Sequence, residues 1–544
     1  MQYKADNSAK AIFVNQAGYA PDAVKVAVMP FPCEEFRVEN LQGEVCFIGK
    51  ARHFGLDINS QDEVWQADFT QWNQPGQYRI TACGKSSAVF SIGGDVYLPL
   101  MKDITRAFYF LRCGQDLLPE HAGEYCHKAC HRTRAKEWEN HDVEKEVFGG
   151  WHDAGDYGRY VTAAACALSH LLYAYILYPE VLSSLEMNIP ESGSAVPDIL
   201  SECRYELEWI IKMQREDGGA YHKETTAQHA PFIMPEDDLG QLYLLPVSSM
   251  ATADLAAICA LASRVYRPFD ADFADTLAKT ALLSYCWLKK NPDFLDFRNP
   301  EGCGTGGYYE RDDYSNRFWA AAEMYALTGE KHYHDDMVAA MKKRFPLSQL
   351  GYGDVGGFGL MCYIFSDCEK DPQLVERFKD AFRSDAQRFE KLMDDCGYGA
   401  AMHASDYIWG SNMVLMKHAM TFAIADRIDD KDRYLPAVCR QMDYLMGVNP
   451  LGISYVTGNG EYRCNAPHLR PSSCDGVDEC IPGMVCGGPN RRPADADAVK
   501  LIPEGTPPMK CFADHDGCYS LNEITIYWNS PTVFALAYMM SKLK

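Results

Sequence analysis

From Ala11 to Ile92 apolar and polar residues alternate in short runs, IFVNQ, KVAVMP, EFRVEN, GEVCFIG, EVWQADF, GQYRITAC and AVFSI, each closed by turn residues. A period of two places every second side chain on one face, so these runs predict the strands of a small β-sandwich. Gly93-Gly94 then punctuates the chain, and beyond Val96 the apolar positions recur at the i, i+3, i+4 spacing of amphipathic helices. That pattern occupies residues 98–112, 161–178, 196–214, 250–265, 271–289, 316–328, 333–343, 372–394, 411–427, 432–446 and 530–543. Eleven or twelve helices in antiparallel succession predict a closed helical barrel or a solenoid. The change of period divides the chain into a β-sandwich domain over residues 1–94 and a helical domain over residues 95–544. Gly-, Pro- and aromatic-rich connections at 295–315 and 449–522 exceed ordinary loop length, which marks them as functional.

Composition narrows the partners. A chain of 544 residues is too long for one ordinary core, and 47% hydrophobic content is ample for burial. With 52 basic and 75 acidic side chains the formal charge is −23. Such a charge repels phosphate backbones and anionic surfaces, so nucleic acid and membrane are excluded as partners and a neutral or cationic substrate fits. The N-terminus MQYKADNSAKAIF has no basic start followed by an apolar region, and no later run approaches the roughly 18 apolar residues of a membrane span. The 21 cysteines are scattered without a regular framework, which fits a reducing compartment better than a disulfide scaffold. A cytoplasmic protein is expected.

Two carboxylates stand three residues apart among glycines and rings in Gly149-Gly150-Trp151-His152-Asp153-Ala154-Gly155-Asp156-Tyr157-Gly158. Asp-Ala-Gly-Asp by itself describes a tight surface turn with Asx side chains capping their own backbone. Trp151, Tyr157 and Tyr160 are costly to leave in a solvated turn, however, and His152 adds a metal-capable nitrogen. Asp153 and Asp156 can be aimed at one point from one turn, an arrangement suited to activating water. Further along, Phe512 to Glu523 leads from a polar loop into an apolar stretch and places Glu523 at the mouth of the last helical region. Taken alone, Asn522-Glu523 reads equally as a helix cap. Cys113, Cys130, His131 and His152 supply two thiols and two imidazoles, a set suited to tetrahedral zinc, although the spacing is not that of a zinc finger and buried thiols compete as the explanation.

Taken in order, a set of segments resembles the motifs of the family 9 glycoside hydrolases over nearly the whole chain. They are Val14-Asn15-Gln16-Ala17-Gly18-Tyr19-Ala20-Pro21, Gly150 to Gly158, Asn449-Pro450-Leu451-Gly452, Ser454-Tyr455-Val456-Thr457-Gly458, Pro467-His468-Leu469-Arg470-Pro471-Ser472, Gly487-Gly488-Pro489-Asn490 and Asn522-Glu523. Each is weak alone; the ordered set is specific. The resemblance implies an N-terminal immunoglobulin-like β-sandwich followed by an all-α (α/α)6 barrel catalytic domain. It also implies inverting cleavage of β-1,4-glucosidic bonds in soluble β-glucans or cellodextrins. In that reading Asp156 is the general base, Asp153 helps to hold the water, and Glu523 protonates the leaving oxygen. Inversion needs room for water, so acid and base carboxyls roughly 6.5 to 9.5 Å apart are expected, and Glu523 must have a raised pKa.

His468 and Arg470 look like the family's substrate-binding pair, with Leu469 where a second histidine is more usual, and Tyr519 is placed to line the same cleft. Trp151, Tyr157, Trp319 and Trp409 are weaker candidates for stacking on sugar, because tryptophan in a helical barrel is more often core. Some family members with the sandwich domain carry a structural zinc from this part of the chain. The resemblance therefore implies a closed zinc site at Cys113, Cys130, His131 and His152, with Cys126-His127 as the competing pair. Calcium in the family precedes a helix of the type Tyr308 to Trp319. Here Ser315 and Asn316 stand where acids are usual, which leaves Asp312 or Asp313, and an acidic surface loop is the alternative. The expected partner is a β-glucan oligosaccharide, acted on by a monomer. An exo-acting β-glucosidase or exo-β-glucosaminidase of the same family is the alternative activity, and a non-catalytic carbohydrate-binding protein on this scaffold is the alternative of a different class.

Overall fold

The computed structural model describes residues 12–543. Ala11, where the predicted alternating stretch begins, and the rest of the first eleven residues of the predicted sandwich domain lie outside the described residues, as does Lys544. The alternating segment forms β1 (Val26–Met29), β2 (Glu35–Asn40), β3 (Val45–Lys50), β4 (Arg52–Leu56), β5 (Glu63–Asp68), β6 (Gly76–Ala82), β7 (Lys85–Ser86) and β8 (Phe90–Ile92). One sheet has the order β1-β5-β4; the other runs β3-β2-β6, with β7 and β8 both paired to β6. In the second sheet Val38 lies opposite Ile80, and the buried residues Phe36, Val38, Tyr78, Ile80 and Ala82 recur at every second position. They close on Ala27, Met29 and Ala67 of the first sheet, so the period of two becomes the inner layer of a sandwich.

The first predicted run, IFVNQ, is not a full strand. Ile12 and Phe13 make isolated bridges to Ser87 and Val28, and the chain then turns towards the helices. There Asn15 Nδ2 donates to Asp443 Oδ1 at 2.9 Å. The ladder ends because the polar end of the run bonds the other domain. Around it, Gly397 N donates to Asp57 Oδ2 at 2.8 Å, Tyr398 Oη to Asp62 Oδ2 at 2.7 Å, and Lys510 Nζ pairs with Asp62 Oδ1 at 2.6 Å.

Among the described residues twelve long helices follow: α1 (Leu98–Phe110), α2 (Val161–Leu177), α3 (Asp198–Lys212), α4 (Ser249–Tyr266), α5 (Ala271–Lys290), α6 (Tyr314–Thr328), α7 (Lys331–Ala340), α8 (Gly356–Phe365), α9 (Pro372–Asp394), α10 (Ser411–Asp429), α11 (Leu435–Leu445) and α12 (Ile526–Lys542). The even-numbered helices form the inner ring: α12, α2, α4, α6 and α8 pack in succession, and α10 packs on α12. Inner helices α2 and α4 are buried almost all round, whereas outer helix α9 buries only the stripe Phe378, Phe382, Ala386 and Phe389. Two concentric rings of alternating helices make an (α/α)6 barrel.

The helix α8, GGFGLMCYIF, escaped the periodic pattern. It has no polar face to set a period, and a Cβ on Gly359 would lie 2.6 Å from the Phe318 ring. Close packing in the inner ring selects glycine against its poor helix propensity. Helix α12 begins at Ile526, a turn earlier than the predicted Ser530, with Pro531 inside it. Among the described residues no helix is long and apolar enough to cross a membrane.

Asp443 at the domain junction is buried, and burial pushes its pKa up to about 7 despite Arg440, Asn15 and Lys25 nearby. The folded value lies above the unfolded one, so the stabilisation is complete below about pH 4 and is lost as pH rises through about 7. Asp443→Asn, which stays neutral, is expected to flatten the fall in unfolding midpoint between about pH 4 and pH 7. Denaturant titrations across that window check this, and an unchanged slope would assign the pH dependence elsewhere.

Candidate active site

Three segments distant in sequence meet at the N-terminal ends of α2 and α12. The Asp153–Asp156 turn leads through the short strand Arg159–Tyr160 into α2, Glu523 lies just before α12, and the 465–470 segment bridges them. Asp153 O accepts from Ile526 N at 2.8 Å, while His468 N donates to Asn522 O at 3.1 Å. Gly155 permits this approach, because a Cβ there would sit 2.1 Å from His468 O.

The three carboxyls occupy different environments. Asp156 Oδ2 accepts from Gly158 N at 3.0 Å and Tyr160 Oη at 3.3 Å, and faces His229 Nδ1 at 3.1 Å. Burial alone raises its pKa, but His229, Arg470 and the Gly158 amide together outweigh burial and hold it below the usual carboxylate range. Asp153 is 1% exposed and accepts a hydrogen bond from Tyr308 Oη; burial, reinforced by the Asp156 charge and opposed by Tyr308, holds it well above the usual range. Glu523 is raised strongly by burial and then by the charges of Asp156 and Asp153, against Arg470 and Trp409. Asp156 and Glu523 are thus displaced in opposite directions, a separation suited to paired base and acid catalysis.

His229 and Tyr308 were missed in the sequence. His229 is a lone histidine in the irregular 226–242 connection, with no motif around it, and Tyr308 lies in the stretch read for calcium. Only their contacts with Asp156 and Asp153 mark them out.

His468, Arg470 and Tyr519 converge on the same place. His468 Nδ1 meets Asp516 O, and burial lowers its pKa. Arg470 donates from Nη1 to Gly155 O at 2.5 Å and from Nε to Ala230 O at 2.8 Å, so it braces the Asp153–Asp156 turn. Tyr519 lies 5.7 Å from His468 and 5.3 Å from Trp409 between ring centroids, and Trp409 is 43% exposed beside it. Trp151 and Trp319 are fully buried, with Nε1 donating to Glu202 and Glu323, and belong to the core; Tyr157 is also buried and donates to Ile233 O.

Cys113, Cys130, His131 and His152 are all buried, and one donor atom from each lies within 4.8 Å of the others. Cys130 Sγ is 4.0 Å from Cys113 Sγ and 3.7 Å from His152 Nε2. His131 takes a left-handed φ of +48°, an uncommon backbone for a non-glycine residue, and its buried Nδ1 has no hydrogen-bond partner while Nε2 meets Asp238 Oδ2 at 3.2 Å. Two soft donors, two imidazoles and a carboxylate behind one of them fit a closed tetrahedral metal site. The competing pair lies apart from this group: Cys126 is half-buried, and His127 Nδ1 bonds Lys128 O at 2.8 Å.

In the stretch read for calcium, Asp313 Oδ2 pairs with Arg317 Nε at 2.7 Å and Asp312 Oδ1 accepts from Tyr314 N at 3.1 Å. Asn316 Nδ2 donates to Asp254 Oδ1 at 3.0 Å. An internal guanidinium thus already balances the Asp313 carboxylate.

Residues 97–536 match the glycosyl hydrolase family 9, and residues 7–87 match the cellulase N-terminal ig-like domain. A cellodextrinase of Butyrivibrio fibrisolvens is 46% identical over 97% of this chain and 99% of its own length. Endoglucanase D of Acetivibrio thermocellus is 32% identical over 97% of this chain and 83% of its own. Among solved structures, a single mutant of a thermostable endoglucanase from Alicyclobacillus acidocaldarius superposes with a TM-score of 0.91 at 33% identity, covering 98% of this chain and 99% of that one.

Proposed function

Because this chain belongs to glycosyl hydrolase family 9, we propose that Asp156, Asp153 and Glu523 carry out its reaction with inversion at the anomeric carbon. The protein is a glycoside hydrolase of the cellulase type, cleaving β-1,4-glucans as a cellodextrinase or endoglucanase does. Asp156, held ionised by His229, takes a proton from water as that water attacks the anomeric carbon. Asp153, anchored by Tyr308, orients the same water, and Glu523 gives its proton to the departing glycosidic oxygen. The observation that carries this reading is the opposite displacement of the Asp156 and Glu523 pKa values within one cleft. We place the two carboxyls at the roughly 6.5 to 9.5 Å spacing that admits a water.

His468, Tyr519 and the exposed face of Trp409 line the sugar site, with Arg470 bracing it. The division of domains at residue 94 is supported by the end of β8 at Ile92 and the start of α1 at Leu98. The enzyme acts as a monomer on soluble cellodextrins in a reducing compartment, the cytoplasm, a placement supported by its many buried free cysteines. Proton NMR of cellohexaose hydrolysis tests the reading: the first-formed reducing end has the α configuration, whereas a β product sinks inversion. Faster turnover of chitosan oligomers than of cellohexaose would transfer the assignment to the glucosaminidase alternative.

Cys113, Cys130, His131 and His152 would hold zinc, which supplies a structural cross-link between three chain segments. Chelation is expected to lower the unfolding temperature by several degrees, read by scanning calorimetry with zinc added back as the control. Unchanged stability together with no zinc in the purified protein would leave the cluster as packed thiols.

A further inference from the structure

The 226–242 connection touches both the Cys/His cluster and the catalytic turn. At one end Asp238 Oδ2 meets His131 Nε2 at 3.2 Å, and its Oδ1 accepts from Gly240 N at 3.1 Å. At the other, His229 Nδ1 faces Asp156 Oδ2 at 3.1 Å. Between them Ala230 O accepts from Arg470 Nε at 2.8 Å and Ile233 O from Tyr157 Oη at 2.5 Å. A small cleft bounded by His131, Asp156, His229 and Asp238 separates the two ends. Regular structure within this connection is limited to one short turn of helix at Pro235–Asp237, so its path depends on these ties together with Gly304 N donating to Ala227 O and Gln228 Nε2 to Gly302 O, both at 2.8 Å.

We propose that Asp238 is a positioning residue that couples the Cys/His cluster to the catalytic base: by tying this connection to His131 it holds His229 against Asp156. The inference rests on the readings of that cluster as a metal site and of Asp156 as the base. A carboxylate behind a ligating histidine fixes ring orientation and metal affinity, and here the same carboxylate anchors a loop that reaches the reacting water's base. The cluster thereby acts on chemistry from a distance without touching substrate.

Asp156 faces His229, Arg470, Tyr160, Asp153, Glu523, Lys223 and His468. Of these His229 makes the strongest contribution holding it ionised. Loss of His229 from its place therefore raises the pH at which the base protonates, and the acid limb of kcat/KM moves up.

The experiment compares pH profiles on cellotetraose and zinc content by atomic absorption for the wild-type protein, Asp238→Ala, Asp238→Asn and His229→Ala. Asp238→Ala is expected to shift the acid limb upward by about one pH unit and to weaken zinc retention against chelator by about 10-fold to 100-fold. Asp238→Asn keeps an acceptor for His131 and stays near the wild type in both. His229→Ala reproduces the limb shift with zinc retained. An acid limb unmoved in Asp238→Ala overturns the coupling, whatever the zinc content. A wild-type protein without zinc overturns the metal reading and with it the coupling of metal to base, while His229→Ala still judges Asp156 as the base. If Asp238→Ala fails to fold, Asp238→Glu, which displaces the carboxylate by one methylene, carries the same comparison.

Discussion

Glu523→Gln lowers hydrolysis of unactivated cellodextrins by about 10²-fold to 10⁴-fold, the usual contribution of a general acid, while aryl β-glucosides with good leaving groups keep most of their activity. The glutamine preserves shape and removes the transferable proton. An alkoxide leaving group needs that proton; a nitrophenolate does not. The burial and negative neighbours that raise the Glu523 pKa favour its protonated form, so the alkaline limb of the profile is expected to report this group and to disappear in the variant on activated substrates. Steady-state rates on cellopentaose and on a dinitrophenyl glycoside give the comparison. Equal loss on both would remove Glu523 from the acid role, because a group that only shaped the site would not distinguish leaving groups.

Asp156→Ala is expected to lose about 10²-fold to 10⁴-fold on both substrate classes, since water must be activated whatever departs. Azide, which attacks without giving up a proton, restores turnover of the activated substrate by forming a bond to the anomeric carbon as the aryl oxide leaves. Entry from the face that Asp156 serves gives the α-glycosyl azide. A β-glycosyl azide, or no rescue in a variant that binds cellobiose normally, would overturn Asp156 as the base. Asp156→Asn controls for the Gly158 and Tyr160 hydrogen bonds that alanine deletes.

Much of the architecture was legible because local periodicity reports burial directly. Strands β2 and β6 bury every second residue, and α9 shows a single apolar stripe, so a switch from period two to helical spacing is visible in the chain. Periodicity is lost where burial is total. In α8 every face meets protein, the polar half of the pattern is gone, and glycine replaces larger residues for lack of room. It also fails for IFVNQ, whose polar end bonds Asp443 in the other domain.

The site divides along similar lines. Asp153, Asp156 and Glu523, the residues proposed for catalysis, stand out in the chain by residue type, by the glycines and rings around them, and by the order of the motifs. The preference for Cys130-His131 over Cys126-His127 came from the family resemblance of Ala129-Cys130-His131, and the fold gathers the preferred pair with Cys113 and His152. His229, Tyr308 and Asp238 carry no such signal. Each is an ordinary residue in an irregular connection, and each enters the proposed site through a contact made after the chain has closed.

What the sequence determined by itself was the kind of protein: a β-sandwich, a helical barrel and an ordered set of acids, histidines and rings. These are properties of local spacing and residue chemistry. Only the tertiary structure decided which carboxyl is pushed up in pKa and which down, because that depends on the charges and dipoles reaching each group through protein rather than along it. Asp156 lies under His229 and the Gly158 amide, Glu523 faces two aspartates, and the ring of twelve helices holds those distant segments together.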